Sequence, residues 1–244
     1  MNNLNSFSGL LRRCIDDYHM IEEGDRIAVG VSGGKDSLLV LLGLRHLQTY
    51  YPKQFHLEAI TIDLGFPGMD YSPIAKWCEE IGVEYVCLKT DIKEIVFDVR
   101  QEDNPCSLCA KMRRGALNDL LKQRGCNKLA LGHHWDDAIE TFLMSLLFEG
   151  RLSCFKPVTH MTRAGVYQIR PMVYAGEGTI INLAEKLNLP IVENACPMDK
   201  ESKRHEIKEL IADLSGKYPD LKSKVFGAMQ RLPLDGWAPD KRKI

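Results

Sequence analysis

The stretch RIAVGVSGGKDSLLVLLGL (26–44) constrains the fold more than any other. After Arg26, residues 27–31 are small or apolar, with β-branched Ile27, Val29 and Val31, as suits a buried strand. Its last seven suit a helix, and only a turn of glycines, serines, a lysine and an acid (32–37) lies between. A turn that passes from strand to helix turns backbone N–H groups toward one point, where the helix dipole adds partial positive charge. Gly33 and Gly34 permit the tight path, Ser32 and Ser37 bring hydroxyls, and Lys35 brings a cation. An anion, most simply a phosphate, fits such a turn. A plain glycine turn, with Asp36 or Ser37 capping the helix, is the simpler alternative. The loop is not the Walker pattern G-x-x-x-x-G-K-[ST], because Val29 holds the first glycine position and Asp36 follows the lysine.

Further along, apolar runs at 57–62, 84–89, 128–132 and 166–171 alternate with helical spacing at 36–49, 70–82, 110–124, 136–148 and 177–188. Alternating strands and helices predict a doubly wound α/β fold with a mostly parallel sheet covered on both faces. Ligands of such sheets bind beyond the carboxyl ends of the strands. LPIVE (189–193) reads as a short extended piece, and 199–232 as two helical stretches parted by GKYPD. Leu4, Phe7, Leu11, Cys14 and Tyr18 recur at helical spacing. The expected layout is an N-terminal helical extension (1–24), an α/β domain (25–190) and a C-terminal extension (191–244).

The 244 residues are 45% hydrophobic and 27% charged, with a net charge of −1, so the molecule as a whole does not attract nucleic acid. Local clusters can still meet phosphates. Lys111, Arg113 and Arg114 form one, and Lys203 with Arg204 another; each is read first as a solvated helix face, and then as an RNA contact. No apolar run is long enough to span a membrane, and no secretory signal is visible. The expected address is the cytoplasm.

GHHWDDAIET (132–141) joins a strand end to a helix start. Asp137 with Glu140 suits a helix cap. The position, beside the glycine loop in the expected strand order, also suits carboxylates that hold magnesium on ATP, with His133 near phosphate. Asp63, at another strand's carboxyl end, and Arg170, in IRPM, are candidates for the same site.

The chain has eight cysteines, and Cys106 and Cys109 form its one C-x-x-C. Cys78, Cys87 and Cys126 read as small hydrophobes in apolar segments. A C-x-x-C at a helix start can do redox chemistry or ligate zinc or iron. A closed zinc site needs a second pair, which the sequence lacks. The remaining candidate is Cys196, in ENACPMDKESKRHEI.

SGGKDS matches the pyrophosphate loop of the PP-loop ATPases. Together with PCSLCAKMRRG, GHHWDDAIET, IRPM and the late cysteine, in that order, it resembles the TtcA family of tRNA 2-thiocytidine synthetases. The resemblance covers nearly the whole chain, including DLSGKYPDLKSKVFGAMQRL. It departs after Cys196, where Pro197, Met198 and Asp199 replace the usual Gly-Ser-Gln. The resemblance implies an adenine-nucleotide α-hydrolase fold, with ATP on Ser32, Gly33, Gly34, Lys35, Asp36 and Ser37 and contributions from Asp63, His133, Asp137 and Arg170. It implies magnesium, catalytic roles for Lys35 and Asp137, and a [4Fe–4S] cluster on Cys106, Cys109 and Cys196 with one iron open. The expected reaction is adenylation of a pyrimidine C2 carbonyl of tRNA, most simply cytidine in the anticodon loop, then sulfur transfer. Thiolation of uridine, or a ligase that uses ATP without sulfur, is the alternative. Expected partners are tRNA and a sulfur donor, either a cysteine desulfurase product or inorganic sulfide, with a possible homodimer and no membrane.

Overall fold

A computed structural model describes residues 2–100, 105–193, 195–196, 203–231 and 237. It contains helix α1 (Asn2–Asp17), strand β1 (Asp25–Gly30), α2 (Lys35–Leu47), β2 (Phe55–Asp63), α3 (Ser72–Glu80) and β3 (Glu84–Lys89). A π-helical segment (Glu94–Arg100) then precedes α4 (Pro105–Arg124), β4 (Lys128–Ala130) and α5 (Trp135–Glu149). The hairpin β5 (Val158–Met161) and β6 (Val166–Ile169) follows, then α6 (Glu177–Lys186), α7 (Lys203–Lys217) and α8 (Leu221–Arg231).

The six strands lie in the order β3-β2-β1-β4-β6-β5, all parallel except the edge strand β5. Val29 of β1 stands opposite Ala59 of β2 and Ala130 of β4. The chain winds outward from β1 in one direction and then crosses to β4, so the switch point of the sheet lies between these two strands. Alternate residues serve opposite faces: Ile27 and Val29 join the core under α1, α2, α5 and α6, while Ala28, Ile60 and Leu129 join the core under α4. Both faces are covered, as a parallel sheet requires.

The amino ends of the strands are tied by buried charges. Lys128 Nζ lies 3.1 Å from Asp25 Oδ2 and donates to the Met20 carbonyl. Glu58, fully buried, accepts from Arg124 Nε at 2.8 Å and from the Cys126 thiol at 2.6 Å. Cys126 is thus a hydrogen-bond donor as well as a packing residue.

The five expected strands and the helices between them are present, with ends that differ by up to a few residues. α4 begins at Pro105, five residues before its expected start, so both cysteines of the C-x-x-C lie inside the helix. β5 was not foreseen: VTHM is too short to show alternation, and it forms because a turn ending at Gly165 (φ +69°) returns the chain onto β6. LPIVE is a connecting segment outside the sheet. Of the expected tail, 199–202 and 232 lie outside the described residues.

α1 joins the main core through Phe7, Leu11, Cys14 and Ile15. It approaches α2 where α2 has a glycine: a Cβ at Gly43 would stand 2.5 Å from Leu11 Cδ2.

Candidate active site

The glycine loop sits at the switch point, between the carboxyl end of β1 and α2. Gly33 has φ +94°, a conformation that favours glycine. The Ser37 hydroxyl accepts from Ser32 N–H at 3.1 Å and donates to the Gly34 carbonyl at 2.8 Å, which fixes the loop from within. Neither Asp36 nor Ser37 caps α2. Gly34 is the N-cap, and no side chain caps the helix start. Backbone donors at that end are therefore left for a ligand to meet. Lys35 Nζ lies 3.3 Å from Asp36 Oδ2, while Asp36 Oδ1 is buried without a partner among the described residues.

Gly132 brings the next segment against this loop. A Cβ there would stand 2.8 Å from the backbone carbon and oxygen of Asp36, so only glycine allows the approach. His133 follows immediately. Burial and the Arg170 charge push its imidazole down to about 4, against the pull of Asp137, so it is neutral at pH 7. Its ring packs on Phe155 at 5.0 Å, and its Nδ1 is buried without a partner among the described residues. The Arg170 guanidinium lies 4.8 Å from the same Phe155 ring and donates to the carbonyl of Lys156. Burial lowers this arginine to about 10, and Arg170 Nε too lacks a partner among the described residues.

Asp137 does not face the loop as a free carboxylate. It forms a capping box with His134: its Oδ2 accepts from His134 N at 2.9 Å, and its own N–H donates to His134 Nδ1. Its Oδ1 accepts from Arg204 at 2.8 Å. The cap exists, but the pair is His134 with Asp137 rather than Asp137 with Glu140. One oxygen of Asp137 thus closes the N-terminus of α5, and the other ties α5 to α7. Arg204, expected at RNA, points inward to Asp137 and Glu140. Lys203 lies over the Phe148 ring at 5.2 Å.

Two other acids of the same helix, Asp136 and Glu140, are buried. Asp136 accepts from Glu177 N at 2.7 Å and from Lys222 Nζ at 2.6 Å. Burial alone would raise its carboxyl, but Lys222 and the Glu177 amide take it below its ordinary value. Glu140 is pushed up to about 7 by burial, opposed by Lys208 and Arg204.

Asp63 ends β2, with Oδ1 accepting from Gly65 N at 3.0 Å and its carbonyl accepting from Thr90. It stands at the carboxyl edge of the sheet, two strands from β4.

Cys106 and Cys109 lie in the first turns of α4, one exposed and the other half-buried. Burial raises the Cys109 thiol, and negative charge on Cys196 and Cys106 raises it further, while Arg113 lowers it. Cys109 is thus within electrostatic reach of both Cys106 and Cys196. Among the described residues no three Cys, His, Asp or Glu side chains are grouped closely enough to hold a metal ion. The donor set fits an iron–sulfur cluster in its chemistry: two thiols three residues apart on α4, a third thiol whose charge acts on Cys109, and the Arg113 cation acting on the same group. Lys111, Arg113 and Arg114 are exposed on the same helix.

The segment that leads to Cys196 crosses the glycine loop. Val192 N donates to the Gly33 carbonyl at 3.0 Å, and a Cβ at Gly33 would stand 3.1 Å from Val192 Cβ. Val192, His134 and Phe155 were not foreseen. Each lies in irregular chain, where no periodicity marks its partner.

A strand, an SGGKDS loop and an uncapped helix at the switch point of a parallel sheet define a PP-loop nucleotide-binding α/β protein. The family model of the PP-loop domain matches residues 7–214. Similar proteins include the tRNA-cytidine(32) 2-sulfurtransferase of Pelobacter propionicus, 39% identical over 90% of this chain and 83% of that protein. That of Geobacter metallireducens is 39% identical over 89% of this chain and 86% of its own. Among solved structures, the U34-tRNA thiolase NcsA from Methanococcus maripaludis with its [4Fe-4S] cluster matches at a TM-score of 0.74 and 28% identity, covering 92% of this chain and 77% of that one. The chain belongs to the family of the tRNA-cytidine(32) 2-sulfurtransferases.

Proposed function

We propose that the protein is an ATP-dependent tRNA sulfurtransferase that replaces the C2 oxygen of a cytidine in the anticodon loop with sulfur. The observation that carries this reading is the hydrogen bond from Val192 to Gly33, which ties the cysteine-bearing segment to the phosphate loop. A site for ATP and a site for sulfur chemistry then adjoin on one edge of the sheet.

ATP binds with its phosphates on the amides and hydroxyls from Ser32 to Ser37. Lys35 offsets charge as pyrophosphate leaves, and His133 and Arg170 meet the phosphate oxygens with their unpartnered nitrogens. Magnesium would accompany the nucleotide and offset phosphate charge, with the Asp36 carboxylate, whose Oδ1 has no partner among the described residues, as the acceptor that would hold it. The pyrimidine C2 oxygen attacks the α-phosphorus and pyrophosphate departs. A sulfide nucleophile then adds at C2, and AMP leaves with the original oxygen. Asp63, at the carboxyl end of β2, would contact the nucleotide or the target base. Cys106, Cys109 and Cys196 would hold a [4Fe–4S] cluster, which when bound supplies iron able to carry sulfide to the site. Lys111, Arg113 and Arg114 present positive charge beside that position for the RNA backbone.

The test is an oxygen-free reaction of the iron–sulfur-loaded protein with tRNA, magnesium-ATP and sulfide, followed by mass spectrometry of the digested nucleosides. The expected product is 2-thiocytidine in step with AMP, both lost in Lys35→Ala. Thiouridine would move the target to the base named for the solved thiolase. AMP release with no sulfur in the RNA would overturn the reading in favour of a ligase.

A further inference from the structure

We propose that Trp237 is a positioning residue for the nucleotide site, acting through Phe155 on His133 and Arg170; this rests on the reading that the site takes the phosphates of ATP. Trp237 lies beyond α8, far along the chain from any residue of that site, yet its side chain is fully buried. Its indole Nε1–H donates to the Phe155 carbonyl at 2.7 Å. Its ring stands 6.1 Å from the Phe155 ring and meets Phe226 of α8 edge-on at 5.3 Å. Its carbonyl accepts from the Tyr18 hydroxyl at 3.3 Å. One residue of the tail thereby joins the end of α1, α8 and the chain before β5.

Phe155 lies in that chain with neither helix nor strand to hold it. Its neighbours are anchored elsewhere: the Cys154 thiol donates to the Ala138 carbonyl, and the Lys156 carbonyl accepts from Arg170. Trp237 addresses Phe155 itself, through its indole N–H to the Phe155 carbonyl and through ring contact. The Phe155 ring in turn packs against both the His133 imidazole and the Arg170 guanidinium. Each carries a buried nitrogen that no described residue satisfies; His46 Nδ1 is the other such nitrogen among the described residues, and its ring packs on Tyr50 instead. A buried polar nitrogen without a partner is costly unless a ligand meets it. Ring contacts of this kind fix the angle at which the two nitrogens are offered.

The charged groups around His133 are Arg170 after β6, Asp137 on α5, Arg204 on α7 and the adjacent His134. Loosening Phe155 admits water to the imidazole while leaving these charges in place, so its titration should rise from about 4 toward the ordinary 6.5. The experiment is NMR titration of full-length protein with isotope-labelled histidine, using His133→Gln to assign the signal. It runs beside the KM for ATP in AMP release. Trp237→Ala and Trp237→Phe are compared, the second keeping a ring while losing the indole donor, and Phe155→Leu is a third variant.

The expected result is that His133 titrates about one pH unit higher or more in Trp237→Ala and Phe155→Leu. KM for ATP should rise about threefold to tenfold, the scale of one aromatic contact, with kcat nearly unchanged. Trp237→Phe should lie between. If Trp237→Ala does not fold, Trp237→Phe and Phe155→Leu decide. A lower melting temperature with unchanged His133 titration and unchanged KM would reduce Trp237 to a core aromatic and overturn the proposal. A wild-type protein that neither binds nor cleaves ATP would instead overturn the nucleotide reading, and the His133 titration would still report whether the latch exists.

Discussion

At the scale of single residues, two glycines decide whether the site can be built. Gly132 lies against the backbone of Asp36, where no side chain can yield. Gly132→Ala is expected to cost about 1–3 kcal/mol and to abolish AMP release, as denaturant melts and an ATP assay would show. Gly33→Ala forces an L side chain into φ +94° beneath Val192, with a similar expected cost of about 1–3 kcal/mol. Glu140 supplies a prediction in pH. Its carboxyl is raised from 4.5 to about 7 in the folded state, so the folded protein binds more protons than the unfolded chain between those values. Stability therefore falls as pH rises through this window and levels off above it. Glu140→Gln should flatten that decline, measured as melting temperature from pH 4.5 to 7. An unchanged slope would mean that Lys208 and Arg204 hold Glu140 ionised throughout.

The elements around the site are joined less by sequence proximity than by charge. α5 offers Asp136, Asp137 and Glu140; α7 answers with Arg204 and Lys208, and α8 with Lys222. The N-terminus of α5 is also capped by His134, an uncommon capping residue. His134→Ala should cost about 1 kcal/mol and speed amide exchange at Asp137, whose N–H it accepts. Removing Arg204 leaves Asp137 and Glu140 with one cation fewer. Because Arg204 is itself 39% exposed, the expected coupling in a double-mutant cycle with Asp137 is only about 1 kcal/mol. A coupling near zero would show that α7 is held by its apolar contacts, Ile207 and Ile211, alone.

Across the whole molecule, the Val192–Gly33 hydrogen bond ties the phosphate loop to the segment that leads to Cys196, and the two proposed roles are separable by mutation. Cys196→Ser, purified without oxygen, should lose iron and acid-labile sulfide while retaining ATP affinity within about twofold. Wild-type protein should carry about four of each per chain. Iron retained in full by the variant would remove Cys196 from the ligand set. Among the described residues no helix is long and apolar enough to cross a membrane.

The alternation of strand and helix, the phosphate loop and the C-x-x-C were legible in the chain because each depends on residues a few positions apart. Backbone freedom at Gly33, dipole direction at α2 and thiol spacing on α4 are local properties. The edge strand β5 was not legible, because four residues carry too little pattern and pairing with β6 supplies what propensity does not. Nor was the fate of Asp137 and Arg204, since a carboxylate and a guanidinium have the same chemistry whether they meet a ligand or each other. The sequence by itself determined what kind of site the chain can make. Only the tertiary structure decided that Val192 lies on Gly33, that Arg204 closes on Asp137 and that Trp237 holds Phe155. Contacts between segments so far apart depend on strand order and on which faces remain to be buried, and no local pattern encodes those.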